Sequence, residues 1–206
     1  VTPHMGIQQY TFQKASDSAC VILDLHRAMN WDQTTGSDIE QMSEIFLQGY
    51  RKSTGWARDQ EVYFSTHLSR QPDSIFIQRI SEDQAGKSPK QTVIAYLYYK
   101  VKAGDKLTIE TALSGTSVEG ALANWSDETK DFDFGKYRER AEERWNERLG
   151  RITLPSDVAD SLRTTFYTAL YRAQVCPTLY SNTEGTYLGA DRRVHLRKDG
   201  TSTYST

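Results

Sequence analysis

Seven short segments before residue 114 have the residue patterns of β-strands, and this run of strands most limits the possible folds. Some segments alternate apolar and polar residues, while 19–25 is almost continuously apolar, as expected for a strand covered on both faces. Short turns separate the segments and no helical spacing intervenes. We therefore predict a mainly β fold, an antiparallel β-sandwich. The segments are 6–12, 19–25, 43–53, 61–69, 76–80, 92–102 and 107–113.

Polar residues, glycines and prolines predict the connections between these strands. Residues 30–41 are rich in Thr, Ser and Asp, so we predict a loop that carries Trp31. Residues 83–90 are predicted to form a solvated turn. Hairpin connections are predicted at 54–60 and 103–105.

Beyond residue 114 the apolar spacing changes to that of α-helices. A short helix is predicted over 117–124 and a longer one from Asp133 to Leu149. The longer helix has one apolar face, and Arg/Glu pairs on the opposite face add a few tenths of a kcal/mol each. We therefore predict a solvated, connecting helix. Its apolar face comprises Phe134, Tyr137, Ala141, Trp145 and Leu149.

A third helix is predicted over 157–175, with Ser156 or Asp157 as its N-cap and Pro177 ending it. Its apolar residues recur at intervals of three and four, which is typical of one buried face. They are Val158, Leu162, Phe166, Ala169, Leu170 and Ala173.

Two short runs rich in Thr, Leu and Tyr follow Pro177 and flank residues 182–185. These four residues are predicted to form a hairpin turn, with Gly185 in a positive-φ conformation.

Composition argues against several classes of partner. The formal net charge is −2, from 25 basic and 27 acidic residues without a basic stripe, so we predict no nucleic-acid partner. No apolar run approaches the roughly 18 residues of a membrane helix, so no membrane span is predicted. The four histidines lack the spacing of a zinc site. Cys20 and Cys176 are predicted to be independent, buried or half-buried thiols.

Five stretches occur together in an order that resembles glycoside hydrolase family 92. One is Ser-Gly-Thr-Ser-Val-Glu-Gly-Ala-Leu-Ala-Asn at 114–124. Another is Gly-Tyr-Arg-Lys-Ser-Thr-Gly-Trp-Ala-Arg-Asp-Gln-Glu-Val-Tyr-Phe at 49–64. The resemblance covers nearly the whole chain, and the combination is more specific than any one stretch. The remaining stretches are 132–138 with Trp145, 166–171 and 180–191.

The resemblance implies an N-terminal β-sandwich, linking helices and an (α/α)6-barrel catalytic domain. Residues 1–116 would be the sandwich, incomplete at its N-terminus, and 117–155 the linker helices. Residues 156–206 would be the truncated start of the barrel, its first helix and hairpin. We interpret the sequence as a fragment, since it opens at Val1 rather than at Met. The remainder of the barrel would be its partner.

The family consists of calcium-dependent exo-α-mannosidases, mostly bacterial and exported. The resemblance thus implies a periplasmic, cell-surface or secreted enzyme of α-1,2 type that removes terminal α-linked mannose from glycans. In such inverting enzymes, a carboxylic acid protonates the leaving oxygen and a carboxylate activates water. Both carboxyls and the Ca²⁺ ligands would lie beyond Thr206, so no catalytic or metal residue is expected in this chain, which alone should be inactive.

Three residues are candidates for the substrate cleft. Asp191 and His195 match a Gly-x-Asp-x-x-x-His-like segment of the family. Ala190 and Arg192-Arg193 depart from the family pattern, where Met and Gly with a basic residue are common. An ordinary surface turn is the alternative. Trp56 can stack its indole on a sugar, with packing at the sandwich edge as the alternative.

A second class of function stays open from the sequence. The chain can instead be a non-catalytic sandwich module that binds carbohydrate or supports another domain. The long connecting helix and the helix at 157–175 favour the enzyme, since a free-standing binding module does not need them.

Overall fold

The computed structural model describes residues 1–28, 31–82 and 90–205. Eight antiparallel strands precede three helices and four short strands. The first eight strands are β1 Met5–Thr11, β2 Ser16–Asp24, β3 Gln33–Gln41, β4 Phe46–Thr54, β5 Gln60–Leu68, β6 Ser74–Glu82, β7 Lys90–Val101 and β8 Lys106–Ser114. The later elements are α1 Val118–Glu128, α2 Phe134–Leu149, α3 Asp160–Ala173, β9 Thr178–Leu179, β10 Thr186–Leu188, β11 Val194–Leu196 and β12 Tyr204–Ser205.

The first eight strands form the predicted antiparallel sandwich. One sheet has five strands in the order β1-β8-β5-β4-β3, and the other has three in the order β2-β7-β6. Apolar side chains from both sheets meet in one core, because alternate residues of each strand point to the same face. Its fully buried members include Ile39, Leu47, Leu68, Val93, Leu97, Tyr99 and Leu107.

Helices α1 and α2 cover the opposite face of the five-stranded sheet. Met5, Ile7 and Ala112 of the sheet pack there with Tyr137 of α2, which is 3% exposed. Strand β8 is therefore buried on both faces. Ser117 caps α1 by accepting the Gly120 N–H at 3.0 Å. The apolar face predicted for α2 is confirmed.

Strand β3 occupies the region predicted to be a loop, so that prediction is wrong. A register shift between Thr34 and Gly36 interrupts the pairing of β3 with β4. Consequently the buried side chains of β3 are Thr34, Ser37 and Ile39. A bulge in a polar edge strand removes the two-residue alternation by which a strand is recognised. The predicted turn at 83–90 lies outside the described residues except for Lys90.

The turn predicted at 103–105 is present, and Gly104 has a φ of 87°. It does not form a hairpin, because it joins β7 in the three-stranded sheet to β8 in the five-stranded sheet. The hairpin of β4 and β5 is confirmed.

Helix α3 begins later than predicted and has no buried residue. Ala159 occupies its N-cap position without a side-chain hydrogen bond, so the predicted caps Ser156 and Asp157 are wrong. The Val158 N–H donates to the Pro155 carbonyl at 3.3 Å, which places both residues in a separate turn. The exposed fraction of Leu162 is 62%.

The short strands after α3 also pair differently from the prediction. Strand β9 pairs with β12, and β10 pairs with β11. Gly185 has the predicted positive φ, at 87°, but residues 182–185 do not join paired strands.

Cys20 and Cys176 are both free, as predicted, but both are exposed. In the described part of the chain, no helix is long and apolar enough to cross a membrane.

Candidate functional site

A buried pair of asparagines fixes the segment after α3 to the sandwich. Asn124 of α1 is 0% exposed and Asn182 is 5% exposed. Asn124 Nδ2 donates to Asn182 Oδ1 at 2.9 Å and to the Leu113 carbonyl at 2.9 Å. Asn124 Oδ1 accepts the Thr183 N–H at 2.8 Å. A satisfied buried amide network defines one docking geometry, because displacing the segment would leave polar atoms unpaired.

The side-chain amide of Asn182 completes this network, and its position requires a glycine at residue 120 of α1. Asn182 Nδ2 donates to the hydroxyls of Thr116 and Thr186, each at 2.8 Å. A Cβ at Gly120 would lie 2.5 Å from Asn182 Nδ2. Gly120 therefore allows the segment to approach α1 this closely.

His4 joins the N-terminal strand, the end of α1 and the chain that follows α3, which we call the returning segment. Its Nδ1 lies 2.6 Å from Glu128 Oε1, and its Nε2 lies 2.7 Å from the Ser181 carbonyl oxygen. Both partners are acceptors, so both ring nitrogens donate when His4 is protonated. Burial disfavours that charge, but the hydrogen bonds to Glu128 and Ser181 outweigh it and raise the pKa of His4.

Glu128 responds in the opposite direction. Burial disfavours its charged form, yet hydrogen bonds from His4 and Thr2 hold the pKa of Glu128 below its usual range. Both shifts favour the charged pair, in which each side chain is 11% exposed.

The hairpin of β10 and β11 brings Asp191, in its turn, next to His195 of β11. His195 Nε2 lies 2.9 Å from Asp191 Oδ1, and the Arg193 N–H donates to the same oxygen at 3.1 Å. These two hydrogen bonds lower the pKa of Asp191, so it is a carboxylate at neutral pH. Both side chains are partly open to solvent, 50% for Asp191 and 43% for His195.

Gly189 makes this arrangement possible. A Cβ at that position would lie 2.6 Å from Asp191 Oδ1 and 2.6 Å from His195 Cδ2. Contacts this short are sterically forbidden, so any larger residue would displace the pair.

Trp56 lies in the loop between β4 and β5 and is 93% exposed. Arg192, from the turn that holds Asp191, pairs with Asp59 of this loop at 2.7 Å. The structure thus brings the loop of Trp56 into contact with the turn of Asp191 and His195. Packing of the Trp56 indole at the sandwich edge is ruled out by its exposure.

A groove of about 660 Å³ separates the sandwich edge from the returning segment. Its volume is in the range of small-molecule sites. Asp59 of the Trp56 loop and Leu188 of β10 line it, whereas Trp56, Asp191 and His195 do not. Its polar lining also includes His4, Glu61, Ser114 and Asn182.

This arrangement can bind hydroxyl groups and the apolar faces of sugars, through the Asp191 carboxylate and the Trp56 indole. Among the described residues, no group of three or more His, Cys, Asp and Glu side chains could hold a metal ion. The described residues therefore supply no cluster of carboxylates that could hold calcium.

The sequence did not reveal several residues that hold the segment after α3 against the sandwich and α1. Asn182 lies inside a run that the sequence predicted as a turn, and its burial depends on α1. Arg192 and Asp59 are separated by 133 residues, so no local pattern could pair them. His4 and Glu128 are similarly distant, 124 positions apart in the chain.

The fold is that of a sandwich followed by the start of a helical domain, and solved structures share it. A family GH92 alpha-mannosidase from Bacteroides thetaiotaomicron has a TM-score of 0.83 and 24% identity, covering 98% of this chain and 28% of that chain. The GH92 family glycosyl hydrolase ccman5 has a TM-score of 0.82 and 24% sequence identity, and the match covers 100% of this chain and 28% of that chain. A family GH92 inverting mannosidase from Bacteroides thetaiotaomicron has a TM-score of 0.76 and 25% sequence identity, and the match covers 98% of this chain and 27% of that chain.

Sequence comparison defines the family. Residues 1–114 match the glycosyl hydrolase family 92 N-terminal domain, and residues 120–206 match the family 92 catalytic domain. The chain belongs to glycosyl hydrolase family 92, which confirms the resemblance. The catalytic-domain match covers α2 and most of α1, from Gly120 onward, although both were predicted to be linker helices. The boundary at 155 stays a prediction.

A curated relative is an uncharacterized secreted glycosidase from Arthroderma benhamiae. It is 29% identical over 133 residues, which cover 61% of this chain and 16% of that protein. The chain thus spans a small part of the length of the proteins it matches.

Proposed function

We propose that the full-length protein is an exported glycoside hydrolase that removes terminal α-linked mannose from glycans by an inverting, calcium-dependent mechanism. Its preferred linkage would be α-1,2. The observation that carries this proposal is the match to both the N-terminal and the catalytic domain of family 92. The mannosidases among the similar structures support the choice of mannose. The secreted relative supports export.

In this proposal the described chain binds and orients the glycan and does not perform the bond cleavage. Trp56 would stack on a sugar face beside the groove, since 93% of its surface is exposed. Asp191, held as a carboxylate, would accept hydrogen bonds from sugar hydroxyls, and His195 would orient it. The acid, the base and the calcium ligands would come from the chain beyond Thr206.

The test is mannose release by the full-length protein. An aryl α-mannoside and a panel of α-mannobioses would be assayed with calcium, with a chelator, and after calcium is restored. We expect release that is fastest on the α-1,2 linkage, is lost with chelator and is recovered with calcium. If no mannose were released from any linkage with calcium present, the proposed enzymatic activity would be refuted.

Two variants would test the binding residues in the same assay. Trp56→Ala should raise KM about tenfold, because a stacking contact of about 1 to 1.5 kcal/mol is lost. Trp56→Phe should retain most of this contact. Equal kinetics for wild type and Trp56→Ala would exclude Trp56 from the cleft.

The alternative is a non-catalytic carbohydrate-binding role. The exposure of Trp56 favours it, since an open indole suits sugar binding without chemistry. Saturable binding of α-mannobiose by a full-length protein that releases no mannose would support this alternative.

A further inference from the structure

The loop of Trp56 is held firmly at its sandwich end. The Gly55 N–H donates to the Ala57 carbonyl at 2.9 Å, which closes a tight turn around Trp56. A Cβ at Gly55 would lie 2.9 Å from Asp32 Cβ, so the loop backbone packs directly on Asp32. Asp32 in turn pairs with Arg51 of β4 at 3.0 Å.

The other end of the loop is held from outside the sandwich. Arg192 Nη2 lies 2.7 Å from Asp59 Oδ2, and Arg192 Nη1 donates to the Asp59 carbonyl at 2.8 Å. One guanidinium therefore binds both the side chain and the backbone of Asp59. Such two-point, charge-assisted contacts define orientation as well as distance.

Arg192 reaches Asp59 from a backbone conformation that is unfavourable for a residue with a Cβ. Its φ is 63°, in the left-handed region, and its N–H donates to the Gly189 carbonyl at 2.9 Å. The same short turn contains Asp191. The position of the guanidinium is consequently coupled to the turn that presents Asp191 and His195.

We propose that Arg192 is a positioning residue that holds the Trp56 loop beside the Asp191–His195 turn, so that both act on one glycan. The inference rests on the proposed function, because Trp56 and Asp191 are the groups that would touch the sugar. With its indole 93% exposed, Trp56 depends on the two anchored ends of its loop for its position. Loss of the Arg192 contact frees one of these ends.

The test compares Arg192→Gln with Arg193→Gln in the full-length protein. Both variants remove one positive charge, but the side chain of Arg193 forms no ion pair with the described residues. Hydrogen exchange of the amides at 55–60, read by mass spectrometry, should become about three- to tenfold faster in Arg192→Gln and stay unchanged in Arg193→Gln. Asp59→Asn, which keeps the carbonyl acceptor, should give a smaller increase.

Kinetics on the α-mannoside then separate positioning from folding. Arg192→Gln should raise KM about three- to tenfold while kcat changes less than about twofold, because the substrate contact is misplaced and the chemistry is untouched. Arg192→Gly should have the same kinetic effect with no loss of melting temperature, since glycine adopts the positive φ freely.

Each outcome decides the proposal. Unchanged exchange at 55–60 in Arg192→Gln overturns it, as does faster exchange with unchanged KM. If the wild-type protein releases no mannose, the proposed function fails, and the exchange comparison alone then supports or overturns the anchoring of the loop.

Discussion

At the scale of single residues, buried polar side chains determine how the returning segment lies on the sandwich. Asn124 donates a hydrogen bond to Asn182, which lies 58 residues further along the chain. Glu110 is 0% exposed and accepts hydrogen bonds from Trp125 at 2.9 Å and Thr129 at 2.7 Å. These contacts join α1 to the sheet and to the segment that lines the groove.

We predict that Asn182→Ala lowers the free energy of unfolding by about 2 to 3 kcal/mol, because Asn124 Nδ2 loses a buried partner and cannot reach water. Urea unfolding followed by fluorescence measures the change. Asn146→Ala, at an exposed position of α2, is the control and should change the free energy by less than about 0.5 kcal/mol. Equal effects of the two substitutions would show that the amide pair does not anchor the segment.

The His4–Glu128 pair predicts a dependence of stability on pH. The pKa of His4 is raised above its ordinary value of 6.5, so its contribution is complete below 6.5 and is lost as pH rises through the folded-state pKa. The pKa of Glu128 is lowered from 4.5, so its contribution is present above 4.5 and is lost as pH falls through the folded-state pKa. The pair therefore stabilises most between these two values.

His67 acts in the opposite direction and must be separated from this effect. It stacks between Phe46 and Trp125, with ring centroids 4.4 Å and 3.5 Å away. Burial lowers the pKa of His67 to about 4. Its neutral form stabilises the fold above the ordinary value of 6.5, and this contribution is lost as pH falls toward 4.

The difference between wild type and His4→Gln therefore isolates His4, since His67 is common to both proteins. We expect wild type to be about 1 to 3 kcal/mol more stable near pH 5.5, with the difference shrinking as pH rises above the folded-state pKa of His4. Urea titrations from pH 4 to 9 measure it. A difference that is constant over this range would contradict the ion pair.

At the scale of elements, α3 stands apart from the rest of the fold. It contacts α2, where Tyr171 packs on Trp145 with ring centroids 4.6 Å apart. Its apolar side chains are nevertheless open, including Leu162 at 62% and Tyr171 at 44%. We predict that the proposed barrel covers this open apolar face in the full-length protein.

We predict that the 206-residue chain alone binds a hydrophobic dye or self-associates through α3. Leu162→Glu should reduce dye fluorescence, whereas Thr165→Glu, on the same helix, should not, because Thr165 carries little apolar surface. Light scattering and dye titration measure both effects. A monodisperse chain without dye binding would show that α3 is covered by the sandwich.

Phe166→Ala tests the same helix in the longer protein. Phe166 is half-buried here, so the substitution should cost less than about 1.5 kcal/mol in the isolated chain. In the full-length protein we expect about 3 to 5 kcal/mol, because further barrel helices would bury the ring. An unchanged melting temperature of the full-length protein would contradict the packing of this face.

At the scale of the whole molecule, the fold has three layers, and the groove lies where the returning segment meets the sandwich. The three-stranded sheet, the five-stranded sheet and the pair α1 and α2 stack in that order. The returning segment docks on α1, and the groove lies between it and the sandwich edge. A cleft at a domain junction can combine a rigid wall from one domain with chemistry from the next.

We predict that the isolated 206-residue chain releases no mannose, while the full-length protein does. Inversion needs two carboxyls on opposite sides of the sugar, and one half of such a site gives no partial catalyst. The aryl α-mannoside assay applied to both proteins, at equal concentration and with calcium, measures this. Mannose release by the isolated chain would place the catalytic residues before Thr206.

The sequence alone determined the sandwich, the apolar face of α2, the positive φ of Gly185 and the family, because strand alternation, helical spacing and motifs are local properties. It could not determine β3, because the bulge of this strand breaks the apolar alternation. The pairing of β3 with β4 is visible only in the structure. Tertiary structure alone decided that Asn124 meets Asn182, that His4 meets Glu128 and that Arg192 meets Asp59. Each of these contacts joins residues far apart in the chain, and a buried or charged side chain shows its partner only once folding has brought the two together.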